Sequence, residues 1–333
     1  MMKNIAVIGA GLTGAAAAAK LVQQGYQVTV FDKGRVAGGR MSSKKTEHGY
    51  LDMGAQYFTA RSDLFKQQVQ LWLEAGCADI WACRTALLCN DEGVTSLVSS
   101  ADAQLRFIGV PSMQSPVKSL LQAIPIVTEC RIDRLSYQRQ WTLYCANNQS
   151  YSNFDAVLIT LPPVQAQQLL SQSQLPDLIA TNSQLLEPCW AVAVQAEACS
   201  MGDAIFCQHP KLRFISHQQH KQGRTSCYIL HFNASYSAEH LQARPEFWFE
   251  QAITIVRDEL NIQHSIEPLV AHRWLYASQR DQAIAPGIMA LPEQKLWIGG
   301  DWSFGGRVEN AYLAGLNLAQ ALVETQHLAG ELS

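Results

Sequence analysis

Three glycines near the start of the chain have the spacing of a phosphate-binding loop. They form the run Gly9-Ala10-Gly11-Leu12-Thr13-Gly14, which follows an apolar stretch and precedes an alanine-rich one. After a strand, the first glycine allows a tight turn, the second lets the backbone approach a pyrophosphate, and the third lets the following helix pack closely. Asp32 lies eighteen residues after Gly14, where a carboxylate accepts hydrogen bonds from an adenosine ribose. The pattern predicts a bound dinucleotide but does not distinguish FAD from NAD.

A second pair of glycines, Gly38 and Gly39, lies directly before Arg40 and Met41. Glycines let the chain pass close to a ligand, and a guanidinium offers a forked donor to diphosphate oxygens. Taken alone, such a segment is also typical of a surface turn with a solvated arginine. An NAD dehydrogenase does not need a second phosphate contact here, whereas FAD enzymes of the glutathione-reductase type commonly have one. The segment therefore favours FAD.

A third glycine-containing segment, near the C-terminal end, includes a carboxylate. Gly299-Gly300-Asp301 follows the apolar run Leu296–Ile298, and Val308-Glu309-Asn310-Ala311 opens a helical pattern. A carboxylate after a strand can accept hydrogen bonds from ribityl hydroxyls. The positive end of a helix dipole can stabilise negative charge at the N1–C2=O2 edge of a flavin. Together with the two preceding segments, this one completes the expected FAD site.

The elements that must hold these residues follow from hydrophobic periodicity and turn signals. Helices are predicted at 12–24, 63–75, 115–123, 164–170, 246–260 and 309–324. Strands are predicted at 4–8, 27–31, 126–131, 134–136, 140–146, 156–161, 190–196, 213–217, 227–233, 266–274 and 296–298, with a hairpin at 86–99 that turns at 90–93. We predict an α/β fold in which a Rossmann-type FAD-binding domain (1–60, 108–165 and 285–333) is interleaved with a mostly antiparallel substrate domain (61–107 and 166–284).

The composition excludes several other classes of protein. The 333 residues are 48% hydrophobic and 16% charged with a net charge of −3, which gives no general attraction to nucleic acid or anionic membranes. The nine cysteines are irregularly spaced and form no Cys-x-x-Cys pair, so we expect no disulfides and no metal site, but reduced thiols in a cytoplasmic protein. Glycines interrupt the apolar N-terminal stretch and no run of 18 apolar residues occurs, so we expect neither a signal peptide nor a membrane span.

Two further features bear on how a flavin and its substrate are held. No second Gly-x-Gly-x-x-Gly unit occurs, so a nicotinamide would have to bind directly against the flavin. The last cysteine is Cys227, so no later cysteine can bond covalently to a flavin near the C-terminal segment. We therefore expect FAD to be bound non-covalently.

Several segments together resemble the renalase family, especially its bacterial branch, within the flavin amine oxidase-like superfamily. They are the glycine loop at 9–14, Gly-Gly-Arg-Met at 38–41, Asp-Met-Gly-Ala-Gln-Tyr-Phe-Thr at 52–59, Pro-Cys-Trp-Ala at 188–191, His-Arg-Trp at 272–274 and Gly-Asp at 300–301. The resemblance extends from about residue 3 to about residue 325, and the 52–59 stretch is its most specific part. It implies a p-hydroxybenzoate-hydroxylase-like fold, non-covalent FAD, and oxidation of misreduced dihydro-NAD(P) isomers to NAD(P)⁺ with O2 reduced to H2O2.

Carried over by position, the resemblance implies FAD contacts for Thr13, Arg40, Gln56 and Tyr57. It also implies a place beside the adenine for Ile126, where related flavoproteins often have valine. Together with the residues of the glycine segments, the expected cofactor-binding residues are Gly9, Gly11, Leu12, Thr13, Gly14, Asp32, Lys33, Gly39, Arg40, Met41, Gly54, Ala55, Gln56, Tyr57, Ile126, Gly300, Asp301, Val308, Glu309 and Ala311.

No arrangement of a general base and a nucleophile can be identified in the sequence. Hydride transfer from a dihydropyridine to flavin N5 needs none, because the carbon gives up hydride and the ring becomes aromatic. His231 matches the family's strand histidine, and strand alternation leaves open which face it occupies. Arg273 is predicted to pair with a substrate carboxamide or phosphate, or else with Glu267 or Glu309. The expected substrate wall is formed by Tyr57, Phe58, Trp190, His231, Arg273 and Trp274.

The favoured function is thus a renalase-like FAD-dependent oxidase whose partners are a small molecule and O2. A flavin amine oxidase is the first alternative, with Trp274 and Tyr276 as candidates for an aromatic cage facing the flavin. A flavin-free binding protein on the same scaffold is the second, and the intact Asp32, Arg40 and Asp301 argue against it.

Overall fold

The computed structural model describes residues 3–47, 49–91, 94–100, 102–179, 185–200, 202–280 and 283–331 of the chain. Its helices are α1 (Leu12–Gln23), α2 (Asp63–Glu74), α3 (Ser115–Leu120), α4 (Pro163–Gln172), α5 (Ala234–Glu239), α6 (Pro245–Asp258) and α7 (Val308–Glu331). Its strands are β1 (Asn4–Ile8), β2 (Gln27–Phe31), β3 (Ser43–Thr46), β4 (Gly49–Asp52), β5 (Ala78–Ile80), β6 (Thr85–Asp91), β7 (Val94–Ser99), β8 (Phe107–Gly109), β9 (Ile126–Val127), β10 (Ile132–Gln138), β11 (Gln140–Cys145), β12 (Ser150–Phe154), β13 (Ala156–Ile159), β14 (Leu186–Gln195), β15 (Ala204–Gln208), β16 (Leu212–His217), β17 (Tyr228–Phe232), β18 (Glu267–Gln279), β19 (Met289–Leu291) and β20 (Leu296–Ile298).

A six-stranded sheet holds the glycine loop between β1 and α1. Its strand order is β19-β20-β13-β1-β2-β9, and only the edge strand β19 runs antiparallel to its neighbour. In β1, Ile5 and Val7 face the core formed with α1 and α7, whereas Ala6 and Ile8 face the antiparallel sheet β10-β11-β12. Because both faces are covered, the strand is an uninterrupted apolar run.

Small residues bring α1 and α7 into close contact beside this sheet. Ala15, Ala16, Ala17 and Ala18 of α1 are almost completely buried. A Cβ atom added at Gly315 of α7 would lie 2.4 Å from the Thr13 carbonyl oxygen, so only glycine permits this approach. The contact sets the N-terminus of α7 beside that of α1, at the edge of the sheet where β1 and β20 end.

A seven-stranded sheet forms the second large layer. Its order is β18-β14-β17-β16-β15-β6-β7, and all neighbours are antiparallel except β15 and β6. One face carries the core of α6, with Trp248 fully buried against Val192, Leu230 and Phe232. Phe214 and His231, paired across β16 and β17, lie on the opposite face.

The predicted α/β class, with a Rossmann-type sheet and a mostly antiparallel second sheet, is confirmed. The predicted strand 126–131 is shorter in the structure, where β9 ends at Val127 and β10 begins at Ile132. The hairpin β3–β4, β12, β15 and α5 were not predicted from the sequence. The polar run Ser43–Thr46 lacks the alternating apolar residues that mark a strand, because its side chains are partly or fully exposed. Part of the predicted 90–93 turn lies outside the described residues, and the domain boundaries stay a prediction.

The structure corrects the expectation for Trp190 as part of the substrate wall. Trp190 lies on the same face of β14 as Val192 and Val194, towards α6. There it is 6% exposed and its ring stacks on Trp248 at 5.0 Å between centroids. Trp190 is therefore a core residue of the second sheet.

Three features of the described residues bear on the expectations for a membrane span, a metal site and disulfides. No helix among them is both long and apolar enough to cross a bilayer. No group of three or more His, Cys, Asp or Glu side chains among them is placed to hold a metal ion. None of the nine cysteines, all of which lie in the described part of the chain, forms a disulfide.

Trp190→Ala should lower the free energy of unfolding by about 3–5 kcal/mol, because it leaves a cavity between β14 and α6. Urea unfolding followed by tryptophan fluorescence measures this loss. Trp190→Phe should cost less, because the indole Nε1 makes no hydrogen bond in the described structure and the ring contact is kept. Loss of flavin affinity at unchanged stability would contradict the placement of Trp190 in the core.

Candidate cofactor and substrate site

A cavity of about 2320 Å³ lies between the two large sheets. Loops that follow β1, β2, β13 and β20 form one end, and side chains of β14 to β18 form the other. Pockets for a single drug-sized ligand are roughly 300–1,000 Å³. The cavity therefore has room for a dinucleotide and a second molecule, at the carboxyl ends of the parallel strands where this fold binds ligands.

Two glycine segments touch each other and form one cradle. A Cβ atom added at Gly39 would lie 3.1 Å from the Gly11 Cα, and Gly38 N–H donates to the Ala10 carbonyl at 2.9 Å. Gly9, Gly38 and Gly39 all have positive φ, at 113°, 143° and 54°. No side chain caps the N-terminus of α1, so its first N–H groups are free to bind an anion. Leu12 and Thr13 line the cavity at this point.

Asp32 is held in one orientation at the end of β2. Its Oδ2 accepts from Ala10 N–H at 2.7 Å and its Oδ1 from Gly34 N–H at 2.6 Å. Lys33 lies beside it on the cavity wall, as do Cys130, Arg131 and Ile132 of the neighbouring segment. This arrangement suits a ribose and an adenine next to the phosphate cradle.

Arg40 and Asp301 form an ion pair on the cavity wall. The sequence led us to expect separate contacts, Arg40 with diphosphate and Asp301 with ribityl hydroxyls. In the structure the Arg40 side chain also donates to the Ala277 carbonyl at 3.3 Å and remains 30% exposed. Because the guanidinium has five donors, it can keep Asp301 and still reach a phosphate oxygen. The two residues thus act as one unit.

The segment that contains Gly54, Ala55, Gln56 and Tyr57 lines the centre of the cavity. The Gln56 amide donates to the carbonyl oxygens of Asp52 and Gly54. A Cβ atom added at Gly54 would lie 2.0 Å from the Arg40 carbonyl oxygen, and Ala55 N–H donates to that same oxygen at 2.9 Å. The centre of the cavity is therefore packed directly against the phosphate cradle.

A buried charge cluster supports this segment from behind. The Lys221 ammonium donates to the Gln56 carbonyl at 2.8 Å and lies 3.9 Å from Asp52 Oδ2. Arg224 donates to the same Asp52 oxygen at 2.8 and 3.0 Å. All three charged side chains are 0% exposed. Burial is the main cause that lowers the pKa of Lys221 to about 8; Asp52 opposes this shift, and Arg224 adds to it.

The N-terminus of α7 reaches the cavity as expected from its helical pattern. Val308, Glu309 and Ala311 line the wall there. The Glu309 carboxylate accepts from the backbone N–H groups of Arg61 and Ser62 at 3.1 and 2.7 Å. Glu309 is thereby fixed to the loop before α2, with its charge near the helix N-terminus that it stabilises.

The other end of the cavity is lined by aromatic side chains and arginines. Tyr57 lies 5.9 Å from Phe214, which lies 5.3 Å from Phe206, measured between ring centroids. The Arg106 guanidinium lies 5.2 Å from the Tyr57 ring, and Arg213 donates to Ser278 at 2.8 Å. Sequence reasoning missed Arg106, Arg213, Phe206 and Phe214, because none lies in a recognisable motif. The only signal for Phe214 was its position in the predicted strand 213–217.

His231 lies on the cavity wall between Phe214 and the β14 strand. Its Nε2 is 3.3 Å from the Met53 carbonyl oxygen, which also accepts from the Trp274 indole at 2.8 Å. Burial is the main cause that lowers the pKa of His231 to about 4; the hydrogen bond to Met53 opposes this shift, and the Arg213 charge adds to it. The imidazole is therefore neutral at pH 7, with Nε2 as the donor and Nδ1 as an acceptor.

Some expected site residues do not line the cavity. Gly14 and Gly300 lie beneath it, and Ile126 packs against the core beside β2. Arg273 reaches the rim, where it donates to the Leu241 carbonyl and to Gln242 at 3.2 and 2.7 Å, and it pairs with neither acid that the sequence allowed. The other expected residues line the cavity: Gly9, Gly11, Leu12, Thr13, Asp32, Lys33, Gly39, Arg40, Met41, Gly54, Ala55, Gln56, Tyr57, Phe58, His231, Arg273, Trp274, Asp301, Val308, Glu309 and Ala311.

The cavity wall is strongly basic although the whole chain has a net charge of −3. Its acidic side chains are Asp32, Asp102, Asp301 and Glu309. Its basic ones are Lys33, Arg35, Arg40, Lys44, Lys45, Arg61, Arg106, Lys118, Arg131, Arg213, Arg273, Arg280 and Arg307. Converging like charges in a cleft raise the local concentration of ligands of opposite charge. The cavity thus favours polyanionic ligands.

The residues present fit FAD. Gly39 lies so close to Gly11 that an added Cβ atom would be 3.1 Å from the Gly11 Cα, which leaves backbone alone facing the cavity for a pyrophosphate, and Asp32 is fixed to the same loop through Ala10 N–H. The cavity continues past Arg40 and Asp301 to Gln56 and Tyr57, which gives the length that a flavin needs beyond the diphosphate.

Comparisons with known proteins agree with this fold. A family model described as an NAD(P)-binding Rossmann-like domain matches residues 7–69. A 4,4'-diapophytoene desaturase (4,4'-diaponeurosporene-forming) from Staphylococcus haemolyticus is 56% identical over 50 residues, and one from Staphylococcus aureus is 54% identical over 51. These matches cover 15% of this chain and about a tenth of the length of the curated relatives.

Solved structures resemble nearly the whole chain. A cyclohexylamine oxidase from Brevibacterium oxydans has a TM-score of 0.72 over 98% of this chain and 100% of its own. A triple mutant of putrescine oxidase has a TM-score of 0.73 over 97% and 99%, and an oxidoreductase from Methanosarcina mazei has 0.71 over 95% and 100%. Each is 12% identical to this chain. The chain therefore has the fold of these oxidoreductases, and at this identity the likeness establishes the fold alone.

Gly14→Ala should yield protein without bound flavin. The added Cβ would lie 1.9 Å from the Gly9 carbonyl oxygen, so the glycine loop must move. Gly25→Ala is the matched control, because φ is +88° there but no atom lies within 4 Å of the added Cβ. It should cost about 1 kcal/mol of stability and keep the flavin. Absorbance of the two purified proteins between 350 and about 500 nm checks this.

Lys221→Met should remove a pH-dependent contribution to stability. The ordinary pKa is 10.5 and the folded pKa is about 8, so the unfolded chain binds more protons between these values. The free energy of unfolding of the wild type should therefore rise with pH across that window, relative to the variant, by on the order of 3 kcal/mol.

Urea unfolding at pH 7.5 to about 10 measures this difference. Lys66→Met, at a lysine that is 57% exposed on α2, should keep the slope of the wild type. If the free energy of unfolding changed with pH in the same way for Lys221→Met and the wild type, the burial of a charged Lys221 would be contradicted.

Proposed function

We propose that the protein is an FAD-dependent oxidase of misreduced dihydro-NAD(P) isomers. The net reaction is dihydronicotinamide dinucleotide isomer plus O2 plus H⁺ giving NAD(P)⁺ plus H2O2, which balances in atoms and electrons. FAD, when bound, accepts hydride at N5 and delivers the electrons to O2. The resemblance of the 52–59 segment and of Gly-Gly-Arg-Met to the renalase family supports the choice of substrate.

Bound FAD is supported by the cradle of Gly9, Gly11 and Gly39 and by the position of Asp32. Tyr57 and Gln56 lie further along the same cavity. Cys227, the last cysteine in the chain, is buried on the inner face of the second sheet, and it does not line the cavity. This position of the last cysteine supports non-covalent binding of the flavin.

The observation that carries the choice of substrate is the charge at the aromatic end. Arg213 has no carboxylate partner among the described residues; it donates only to Ser278 and lines the cavity. Unpaired guanidinium groups bind phosphate oxygens with two parallel hydrogen bonds. A dinucleotide brings phosphates to such a wall, whereas an amine brings a positive charge that the wall repels.

The chemistry of the residues at this end agrees with hydride transfer. His231 is neutral near pH 7 and fixed by Met53, so it can orient a carboxamide without supplying a proton. Tyr57, Phe206 and Phe214 present ring faces on which a planar dihydropyridine can stack. These side chains bind and orient the substrate and exclude water, which is all that the reaction requires of the protein.

A flavin amine oxidase is the second candidate. The solved neighbours named putrescine oxidase and cyclohexylamine oxidase support it, and Trp274 and Tyr276 line the cavity where an aromatic cage would lie. The Trp274 indole, however, donates a hydrogen bond to the Met53 carbonyl, which fixes the ring there. The basic wall favours the dinucleotide.

Anaerobic mixing of the purified holoprotein with 2- and 6-dihydronicotinamide dinucleotide isomers should bleach the flavin absorbance rapidly. Ordinary NADH and a panel of primary amines should bleach it slowly or not at all. Rapid bleaching by an amine with none by the isomers would replace this proposal by the amine oxidase. A purified protein that has no flavin absorbance and takes up no added FAD would leave only a binding protein.

Arg213→Gln should raise KM for the dinucleotide isomers about tenfold with kcat within about twofold, because one charge-assisted contact to the bound substrate is lost. Steady-state oxygen consumption measures both constants. Arg257→Gln, which removes the same charge from an exposed position on α6, should change neither. Equal effects of the two substitutions would show that only the overall charge matters.

A further inference from the structure

Arg106 differs from the other arginines of the aromatic end because it is buried. Its side chain is 6% exposed, and it lies 5.2 Å from the Tyr57 ring and 5.4 Å from the Phe206 ring. A guanidinium between two ring faces is held in place by cation–π attraction and by packing. Arg106 is thus a fixed positive charge in the wall beside Tyr57.

Asp102 is the carboxylate that neutralises this charge. Arg106 donates to both of its oxygens, at 2.8 and 2.6 Å, and also to the Gln104 carbonyl at 3.1 Å. Asp102 is 36% exposed and lines the same cavity, in an irregular stretch between β7 and β8. These hydrogen bonds lower the pKa of Asp102, so it stays ionised at neutral pH.

In this pair the arginine is the more buried partner, whereas in the structural pair Arg84–Asp203 the acid is. There the acid is 1% exposed, accepts from Arg84 N–H as well, and the arginine is 49% exposed. In Arg106–Asp102 the arginine is the fixed partner and the acid is the accessible one. Asp102 also accepts from Gln104 N–H at 3.1 Å, yet it stays 36% exposed, so the anion that the buried guanidinium needs lies at the cavity surface.

A second observation shows that the guanidinium is incompletely satisfied. Its Nε is buried and makes no hydrogen bond among the described residues. Buried donors without a partner are rare in folded proteins and call for an explanation. Because Asp102 occupies the two terminal nitrogens, the Nε donor of Arg106 is left unused.

We propose that Asp102 is an internal substitute for a phosphate group of the substrate. It neutralises Arg106 in the free enzyme, and a substrate phosphate displaces it from the same guanidinium. Arg106 then determines specificity for anionic substrates, and Asp102 weakens their binding by competition. The proposal rests on the proposed function only to the extent that the substrate carries phosphate.

Isothermal titration of the holoprotein with inorganic pyrophosphate and with NAD⁺ tests this without turnover. Asp102→Asn should bind both about tenfold more tightly than the wild type, because the competing charge is gone. In an Arg106→Gln background the same substitution should have no effect on either affinity. Asp258→Asn, which removes an exposed acid from α6 on the opposite face of the sheet, is the matched control and should bind as the wild type does.

Kinetics give an independent measurement. Asp102→Asn should lower KM for the dinucleotide isomers about tenfold, keep kcat within about twofold, and leave 1-methyl-dihydronicotinamide, which has no phosphate, unchanged. Unchanged pyrophosphate affinity in Asp102→Asn would overturn the proposal. So would an equal change in KM for charged and uncharged substrates, since that indicates a merely structural loop contact.

The two proposals fail in different ways. Tighter pyrophosphate binding by Asp102→Asn, without flavin reduction by any dihydronicotinamide, would keep the role of Asp102 and reject the proposed substrate. Flavin reduction by the isomers with no effect of Asp102→Asn would do the opposite.

Discussion

The Asp52 carboxylate joins the two large layers of the protein. One of its oxygens accepts from Ser43 and from Met113 N–H, which belong to the segments around the phosphate cradle. The other accepts from Arg224, in the connection between two strands of the second sheet. A buried carboxylate that loses its partners costs several kcal/mol of stability. Asp52 therefore holds the two layers in one relative position. Gln56 and Tyr57 lie directly after this junction, so the centre of the cavity depends on it.

The parts of the site that could be predicted from sequence are those that depend on local backbone geometry. The spacing of Gly9, Gly11 and Gly39 is enough to predict that the backbone turns tightly there. Asp32 could be placed because it ends a strand that is recognisable by its apolar run. The meeting of Arg40 and Asp301 was not predictable in this way. They are 261 residues apart, and the sheet order β20-β13-β1 together with the packing of α7 on α1 brings their loops to the same edge.

Two residues of the aromatic end, Arg213 and Arg106, escaped prediction because no regular strand alternation marks them. A register shift lies before Cys189 in β14, but from there the strand alternates regularly: Trp190 shares a core face with Val192 and Val194, and Cys189 lines the cavity. A second shift, between Leu212 and Phe214, accompanies the turn of Arg213 towards the cavity. A bulge inserts one residue and so reverses the face of all that follow, which no count of alternating residues reveals. Arg106 precedes a strand of only three residues and has no periodic signal at all.

Backbone groups therefore line one end of the cavity and side chains line the other. The two ends differ in which substitutions they tolerate. At the cofactor end, backbone N–H groups and glycines make the contacts, so most substitutions there disturb the fold of the loop itself. At the aromatic end, side chains such as Arg213 and Phe214 extend from a sheet whose hydrogen bonds do not depend on them. Replacing one of them alters what the cavity accepts while the sheet and the cradle persist. The cradle can thus persist while the side chains of the aromatic end differ, and the charge of this wall is the feature on which the proposed choice of substrate rests.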